Sequence, residues 1–305
     1  MELHIANTLD TNRLSQFYAM LASMFSSNRQ NKTCFHVVVT GISGVEKVEL
    51  ESFIQSHNGQ IVFYTIDPKL IQLFPLGPSW TIAVYYRLLL FNLIPKEVGR
   101  LLYLDTDTLV LKDLSGLFSI DLNEFPLAAV YDNYVKTRPE LGIHEEGEYF
   151  NSGMMLIDLP VWNRTGVSEK AMAYLQQYPE RIKFVDQDAL NVVLKDNWKR
   201  ISEHYNFMFS YVPYEAAKTW YQSQLGEICI LHFTLQRPWN MLCKNRYREL
   251  YLKFHKQSPG GRQPAITDFS IWSVNKWLGL RVAEAYQDAP SWVKVTWKKM
   301  KSFVN

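Results

Sequence analysis

The stretch Leu101-Leu102-Tyr103-Leu104-Asp105-Thr106-Asp107-Thr108-Leu109-Val110-Leu111 restricts the choice of fold more than any other part of the chain. Four apolar residues run into two carboxylates one residue apart, and a second apolar run follows. A short apolar run without alternation reads as a strand buried on both faces, as inside a parallel sheet covered by helices on each side. Ligands of open α/β sheets collect at the carboxyl ends of the strands, which is where Asp105 and Asp107 fall. Two carboxylates at such a place are costly unless positive charge sits between them. A divalent cation, which prefers oxygen ligands, would supply that charge. The competing reading is a polar strand end whose Asp residues cap turns, because Asp-x-Asp alone is unspecific.

The residues before this stretch agree with an α/β fold. Leu3 to Leu9 reads as a first strand, and Asp10-Thr11-Asn12 as a turn or helix start. Leu14, Phe17, Leu21, Met24 and Phe25 recur at helical spacing; Phe35 to Thr40 is a second strand. Val45, Val48, Phe53 and Ile54 mark a second helix that ends near Gly59, and Ile61 to Tyr64 is a third strand. This β-α-β-α-β order implies a parallel sheet of Rossmann type. Leu73 to Trp80, rich in Pro and Gly, predicts a loop. A helix from about Thr81 to Asn92 carries Arg87 among apolar neighbours. A buried cation requires an anion, either an Asp of the core stretch or a ligand.

After the core stretch, Leu127 to Tyr131 predicts a strand that ends at Asp132. Asn133 to Tyr149 holds Glu140, Glu145, Glu146 and Glu148 and lacks periodicity, so it reads either as a mobile loop over a site or as a solvated loop. Phe150 to Asp158 opens with Asn151-Ser152-Gly153 and becomes a strand. Val185-Asp186-Gln187-Asp188 starts a helix whose dipole favours acid in its first turn, so Asp186 and Asp188 are equally candidates for capping and for chemistry. Ile228 to Phe233 is a strand carrying His232. A lone His on an apolar strand is more often a satisfied core residue than a ligand.

Composition removes several classes. A chain of 305 residues with 47% hydrophobic content can bury a substantial core. A net charge of +2 gives no global basic field for nucleic acid. Cys34, Cys229 and Cys243 are odd in number and lack metal-type spacing, which points to a reducing compartment rather than a disulfide framework. The start has no basic and apolar leader, and no apolar run reaches the ~18 residues of a membrane span. The expectation is a cytoplasmic protein. From Phe269 onward Trp and Lys dominate. Val293, Trp297, Met300 and Val304 share a helical face beside Lys294, Lys298, Lys299 and Lys301. A basic, aromatic, amphipathic helix suits a membrane surface, and a helix docked on the domain is the alternative.

Taken together, Asp10-Thr11-Asn12, Arg87, Leu102-Tyr103-Leu104-Asp105-Thr106-Asp107, Asn151-Ser152-Gly153, Asp186-Gln187-Asp188 and His232-Phe233-Thr234 with Arg237-Pro238-Trp239 follow the order of motifs in glycosyltransferase family 8. Over roughly residues 1–240 the chain resembles the bacterial lipopolysaccharide α-galactosyl- and α-glucosyltransferases, and glycogenin more distantly. The resemblance implies a GT-A fold, an α/β architecture with a Rossmann-like, mostly parallel central sheet and flanking helices. A catalytic domain over 1–250 and a C-terminal helical annex over 251–305 are expected. It also implies a UDP-hexose donor (galactose or glucose), Mn²⁺ with Mg²⁺ as second candidate, and transfer with retention to a cell-envelope glycan or glycolipid. That transfer would take place at the inner face of a bacterial membrane.

By position, Asp105, Asp107 and His232 resemble the metal ligands, and a mixed oxygen and imidazole set suits Mn²⁺ better than Mg²⁺. Asp10 and Asn12 match uridine-holding positions. Arg87, Asp105, Thr106, Asn151, Ser152, Asp186 and Gln187 match positions around the donor, and Asp132 a position on the sugar side. Gln187 corresponds to the reactive face of the anomeric carbon, with Asp186 or Asp188 as possible nucleophiles beside it. The chain departs from the family at Leu235-Gln236-Arg237, where Gly-Pro-Lys is usual, and at Thr11, where a second Asp is usual. A Gly lets the backbone approach a diphosphate; Leu235 either blocks that approach or moves the loop. Arg237 replaces a point charge by a forked cation. Two rival readings remain. A non-catalytic sugar-nucleotide binder would follow if Leu235 abolished turnover. A haloacid-dehalogenase-type phosphatase shares the Asp-x-Asp-x-Thr motif, but that motif normally opens its domain, whereas here α/β pattern fills the residues before it.

Overall fold

A computed structural model describes residues 1–71, 74 and 82–295. The expected loop over Leu73 to Trp80, apart from Phe74, lies outside the described residues. So do the expected helix start at Thr81 and the tail from Thr296 onward, which holds Trp297, Met300 and Val304.

Ten strands are described: β1 (Glu2–Asp10), β2 (Lys32–Thr40), β3 (Gly59–Tyr64), β4 (Arg100–Leu104), β5 (Thr108–Val110), β6 (Leu127–Tyr131), β7 (Phe150–Asp158), β8 (Lys199–Arg200), β9 (Phe207–Met208) and β10 (Ile230–His232). The α-helices are α1 (Leu14–Ser27), α2 (Gly44–Gln55), α3 (Tyr86–Leu93), α4 (Ser115–Phe118), α5 (Leu159–Thr165), α6 (Val167–Gln177), α7 (Val185–Val193), α8 (Lys218–Leu225), α9 (Arg248–Lys256) and α10 (Val274–Asp288). A seven-stranded sheet runs in the order β3-β2-β1-β4-β7-β6-β8. Its β3-β2-β1-β4 half is parallel, as the alternating strand and helix pattern requires. β7 inserts antiparallel between β4 and β6. The expected α/β, mostly parallel architecture with flanking helices is therefore the one observed.

The two cores follow from the period of two along each strand. Leu102 and Leu104 of β4 join Leu3, Ile5 and Phe17 on one face. Leu101 and Tyr103 join Ala6, Leu88 and Trp162 on the other. Both faces of β4 are buried, which is why its sequence is a continuous apolar run rather than an alternating one.

Asp105-Thr106-Asp107 is the link at which the chain leaves this sheet. β5 turns away to pair antiparallel with β10, which pairs in parallel with β9 in a second, three-stranded sheet. Asp105 N–H donates to Gly153 O of β7 at 2.8 Å, and Phe233 N–H donates to Asp107 O at 2.9 Å. The carboxylate pair is thus fixed at the junction of the two sheets.

Residues 133–149 form the expected irregular segment, with His144 to Glu146 exposed, but part of it is packed onto the domain. Val135, Leu141, Ile143 and Tyr149 form a small buried cluster, and Arg138 pairs with Ile143 in an isolated bridge. Buried Arg138 donates to Asp188 at 2.6 Å, to Glu140 at 2.5 Å and to Arg181 O at 3.0 Å. The apolar anchors fall at irregular spacing, so no helical or strand period announced them. Downstream, α9 packs on α1 and spans the expected boundary at 250/251. Arg246 and Arg248 hold α10 through Asp288 at 2.6 Å and Glu284 at 3.2 Å.

Removing one partner of a buried ion pair strands the other charge at a cost of about 3–5 kcal/mol. Arg138→Met is expected to lower the free energy of unfolding by about 3 kcal/mol in urea titration. That is the low end of the range, because Asp188 keeps Tyr149 and two backbone donors. Amide exchange over 133–149 should rise in the same variant.

Candidate active site

The site is assembled around Arg87. It stands on α3 within an apolar helix face and is 5% exposed. Its guanidinium donates to Asp105 Oδ1 at 3.1 Å and to Ser152 O at 2.7 Å, lies 3.2 Å from Asp186 Oδ2, and sits 4.3 Å from the centre of the Tyr103 ring. Burial opposes the charge on Arg87, but Asp105 and Asp186 outweigh it and its pKa is raised. Burial pushes the Asp186 carboxyl up to about 6 while Arg87 pulls the other way. The anion that Arg87 required is therefore internal: an Asp of the core stretch, joined by an Asp from α7.

Asp105, Asp107 and His232 converge although they come from two sheets. One ligand atom from each, a carboxylate oxygen or an imidazole nitrogen, lies within 4.8 Å of the others. His232 Nε2 is 3.2 Å from Asp107 Oδ1 and 3.9 Å from Asp105 Oδ2. Burial disfavours the charge on Asp107 and on His232. Even so, the His232 ring, its hydrogen bond and the nearby Arg237 and Arg13 hold Asp107 below the usual carboxylate range, and Asp107 raises His232.

The other ring nitrogen, His232 Nδ1, is 2.9 Å from Asn206 Oδ1. Asn206 Nδ2 donates to Asn151 Oδ1 at 3.0 Å, so its oxygen is the atom that faces the ring. Asn206 thereby keeps a proton on Nδ1 and turns Nε2 to the carboxylates, where it donates to Asp107 while the ring is charged and would offer its lone pair to a metal once that proton is lost. Asn206 is the outer partner that metal-ligating histidines normally have. Gly153 completes the cradle: a Cβ there would collide with the His232 ring and come within 2.7 Å of Asp105 Oδ2. Two carboxylates, an oriented imidazole and a gap that excludes a methyl group fit a divalent cation.

A polar network continues from Asn206. Asn151 Nδ2 donates to Asp132 Oδ2 at 3.0 Å and to Gln187 Oε1 at 3.2 Å. Gln187 Oε1 also accepts from Ser152 N–H at 3.0 Å, and Gln187 Nε2 donates to Asp132 Oδ2 at 3.2 Å. An ionised carboxylate only accepts, so Asp132 fixes both amide orientations. The structure also separates the two acids of α7. Asp188 is fully buried and is taken up by Arg138, Tyr149 and the N–H groups of Lys183 and Phe184, a helix-capping and ion-pair role that leaves it no nucleophilic one. Asp186 turns toward Arg87 and Ser152. Val185, just before it, has φ +40°, a strained conformation for a β-branched residue.

Two cavities meet at Arg87, Asp105, Asp107 and Arg237, with volumes of about 130 and 440 Å³. Asp10, Thr106, Arg13 and Trp239 line the smaller; Asp132, Asn151, Gln187, His232 and Leu235 line the larger. Asp10 Oδ1 is buried and has no hydrogen-bond partner among the described residues. Of the expected residues, exposed Asn12 and fully buried Asp188 line neither cavity. Leu235 has φ +62°, a left-handed conformation that glycine adopts freely, and its half-exposed side chain lines the larger cavity.

Sequence reasoning missed Asn206, Tyr103 and Arg13 as site groups and left Gly153 without a role. Asn206 precedes the two-residue β9 and carries no periodic signal. Tyr103 read as one more apolar strand residue, yet its Oη donates to Asp105 at 3.0 Å. Arg13 and Arg237 both face the Trp239 ring, at 5.1 and 5.9 Å, so two cations border the carboxylates.

A family model described as Glycosyl transferase family 8 matches residues 4–261. The chain belongs to glycosyltransferase family 8. Family membership removes the phosphatase reading and makes the protein a glycosyltransferase. Among its relatives, general stress protein A of Bacillus subtilis is 29% identical, over 84% of this chain and 93% of its own length. The lipopolysaccharide 1,3-galactosyltransferase of Salmonella typhimurium is 26% identical, over 85% of this chain and 79% of its own. The crystal structure of the galactosyltransferase LgtC with donor and acceptor sugar analogues superposes with a TM-score of 0.73 at 24% identity, over 90% of this chain and all of that one. That likeness shows the GT-A fold.

Members of this family typically use a UDP-sugar and a divalent metal, and the Asp105, Asp107 and His232 cluster is the matching group here. The collision expected at Gly153 gives a direct check. Gly153→Ala should weaken Mn²⁺ binding by about 10- to 100-fold, the scale of lost support around a metal. The measure is calorimetric titration with Mn²⁺, with far-ultraviolet circular dichroism unchanged.

Proposed function

We propose that the protein is a Mn²⁺-dependent, retaining hexosyltransferase. It would transfer galactose or glucose from a UDP-sugar to a cell-envelope glycan or glycolipid. The observation that carries this reading is the convergence of Asp105, Asp107 and His232 beside Gln187 and Asp186 at the meeting of two cavities.

In this reading the smaller cavity takes the nucleotide, with the unpartnered Asp10 Oδ1 on the uridine. Arg13 and Arg237 bracket the diphosphate, and Arg237 serves where a lysine is usual. Asp105, Asp107 and His232 would hold the metal, which neutralises charge as the bond to the sugar breaks. Arg87, Asn151, Ser152 and Asp132 orient the hexose. Gln187 is held at both ends of its amide and is a poor nucleophile. Its position suits orienting the sugar and stabilising positive charge at the anomeric carbon. The bond from that carbon to the diphosphate oxygen breaks, the acceptor oxygen attacks from the same face, and the leaving diphosphate takes the acceptor proton.

This reading takes residues 1–250 as the catalytic domain and 251–305 as the extension, with α9 continuing across the join. Among the described residues no helix is long and apolar enough to cross a membrane. The extension exposes Phe269 (70%), Ile271 (72%) and Trp272 (90%) before α10 and Trp292 (70%) after it. Exposed aromatics of this density suit the headgroup region of an anionic bilayer. The reading places the enzyme peripherally at the cytoplasmic face.

UDP binding tests the reading without any acceptor. Calorimetry should show binding with Mn²⁺ that is weakened by Mg²⁺ substitution and lost with chelator. Asp107→Ala should lose at least about 100-fold in metal-dependent turnover, removal of a metal ligand being at least as severe as loss of its outer partner. Binding of UDP that ignores metal, or an active Asp107→Ala enzyme, would overturn the site. In a vesicle sedimentation assay, Trp272→Ser with Trp292→Ser should release the protein from anionic vesicles while sparing transfer to a soluble acceptor.

A further inference from the structure

Near the amino end of the sheet, away from the donor cavities, β1 and β2 carry a second cluster. His4 and Cys34 are direct partners across the parallel ladder. His36 lies two residues beyond Cys34, so the period of two places all three side chains on one face. His4 Nδ1 and His36 Nε2 are 3.0 Å apart with their rings stacked, and Cys34 Sγ joins them in a group whose ligand atoms all lie within 4.8 Å of one another. Cys34 and His36 are buried, and His4 is half-buried, which leaves an approach from its side.

The second nitrogen of His36, Nδ1, is 2.9 Å from Tyr64 Oη. When Nδ1 carries the proton and donates it to Tyr64, Nε2 is left as a lone pair toward His4 and Cys34. A hydrogen-bonded histidine pair would account for the two rings but not for the thiol. Cys34 Sγ makes no hydrogen bond to any described residue, whereas Cys229 and Cys243 each reach a backbone carbonyl.

We propose that His4, Cys34 and His36 form a second metal site, for a borderline-soft divalent ion of the zinc class. The donor set separates it from the first site. Two carboxylates and one imidazole at the carboxyl ends of the strands suit a hard ion, while a thiolate and two imidazoles suit zinc. Tetrahedral zinc with bonds of about 2.1 Å holds two nitrogens about 3.4 Å apart, so the histidine pair need open by only a few tenths of an ångström. The ion displaces the Cys34 proton to solvent and takes water or the neighbouring Glu2 carboxylate as its fourth ligand. From His4 to Asp10 the strand advances about 20 Å, so the two sites are physically distinct. The bound ion would tie β1 to β2 and stabilise the parallel edge of the sheet.

The test titrates the full reduced chain with Co²⁺ as a spectroscopic probe and with Zn²⁺ by calorimetry and thermal melting. One equivalent of Co²⁺ should give a thiolate-to-cobalt charge-transfer band. Asp107→Ala should retain that band and Cys34→Ser should lose it. Zn²⁺ should raise the melting temperature of the parent but not of Cys34→Ser, whose zinc affinity should fall at least about tenfold. Absence of the band in the parent, or its persistence in Cys34→Ser, would overturn the second site. Neither readout involves UDP or an acceptor, so either result leaves the transferase reading to be judged on its own experiments.

Discussion

Arg87 and the two carboxylates it bridges are the interaction on which the site depends. A buried guanidinium between Asp105 and Asp186 ties α3, the end of β4 and the start of α7 to one point. Desolvation makes any one of these three charges untenable alone, so each element is held in register by the others. The same contact leaves Asp105 with a second oxygen free to face His232, since Arg87 and Tyr103 both engage Oδ1. One oxygen is structural and the other is available for a ligand.

The second constraint is the change of sheet between β4 and β5. Had the chain continued in the large sheet, Asp105 and Asp107 would have shared a face but stood about 7 Å apart along the strand, and β5 would not have reached β10. Leaving the sheet at this link lets both carboxylates face one space, and the pairing of β5 with β10 brings His232 opposite Thr108. Asn206 then sets the face of the imidazole and passes the polar network on to Asn151, Gln187 and Asp132. The donor side and the sugar side are therefore parts of a single hydrogen-bonded assembly.

Local strain gathers in the same place. Val185 and Leu235 both have positive φ, and both line the larger cavity. A leucine in the left-handed region sacrifices about 1–2 kcal/mol that glycine would not. At this departure from the family motif the cavity wall therefore presents a leucine side chain on a left-handed turn. Arg13 and Arg237, facing one indole, add positive charge at the same mouth.

The sequence by itself determined the class of fold and named most of the residues that the fold gathers around the two cavities. The continuous apolar run of β4, the strand and helix alternation before it and the carboxylates at its end are local signals, and local signals survive in a linear chain. Arg87 could be assigned an internal anion or a ligand because a buried cation must have a partner. Tertiary structure alone decided which partner. It also decided that Asp186 faces the cavity while Asp188 caps a helix and holds Arg138, because two acids two residues apart look alike until the packing of α7 turns them. The segment 133–149 read as loop because its anchors obey no period; only its contacts with α7 reveal that part of it is fixed. Asn206, Gly153 and Tyr103 carry no pattern along the chain, and their roles exist only where β7, β9, β10 and β4 meet. Spacing in sequence encodes faces and periods, whereas the orientation of a ring or a carboxylate is set by atoms distant in the chain.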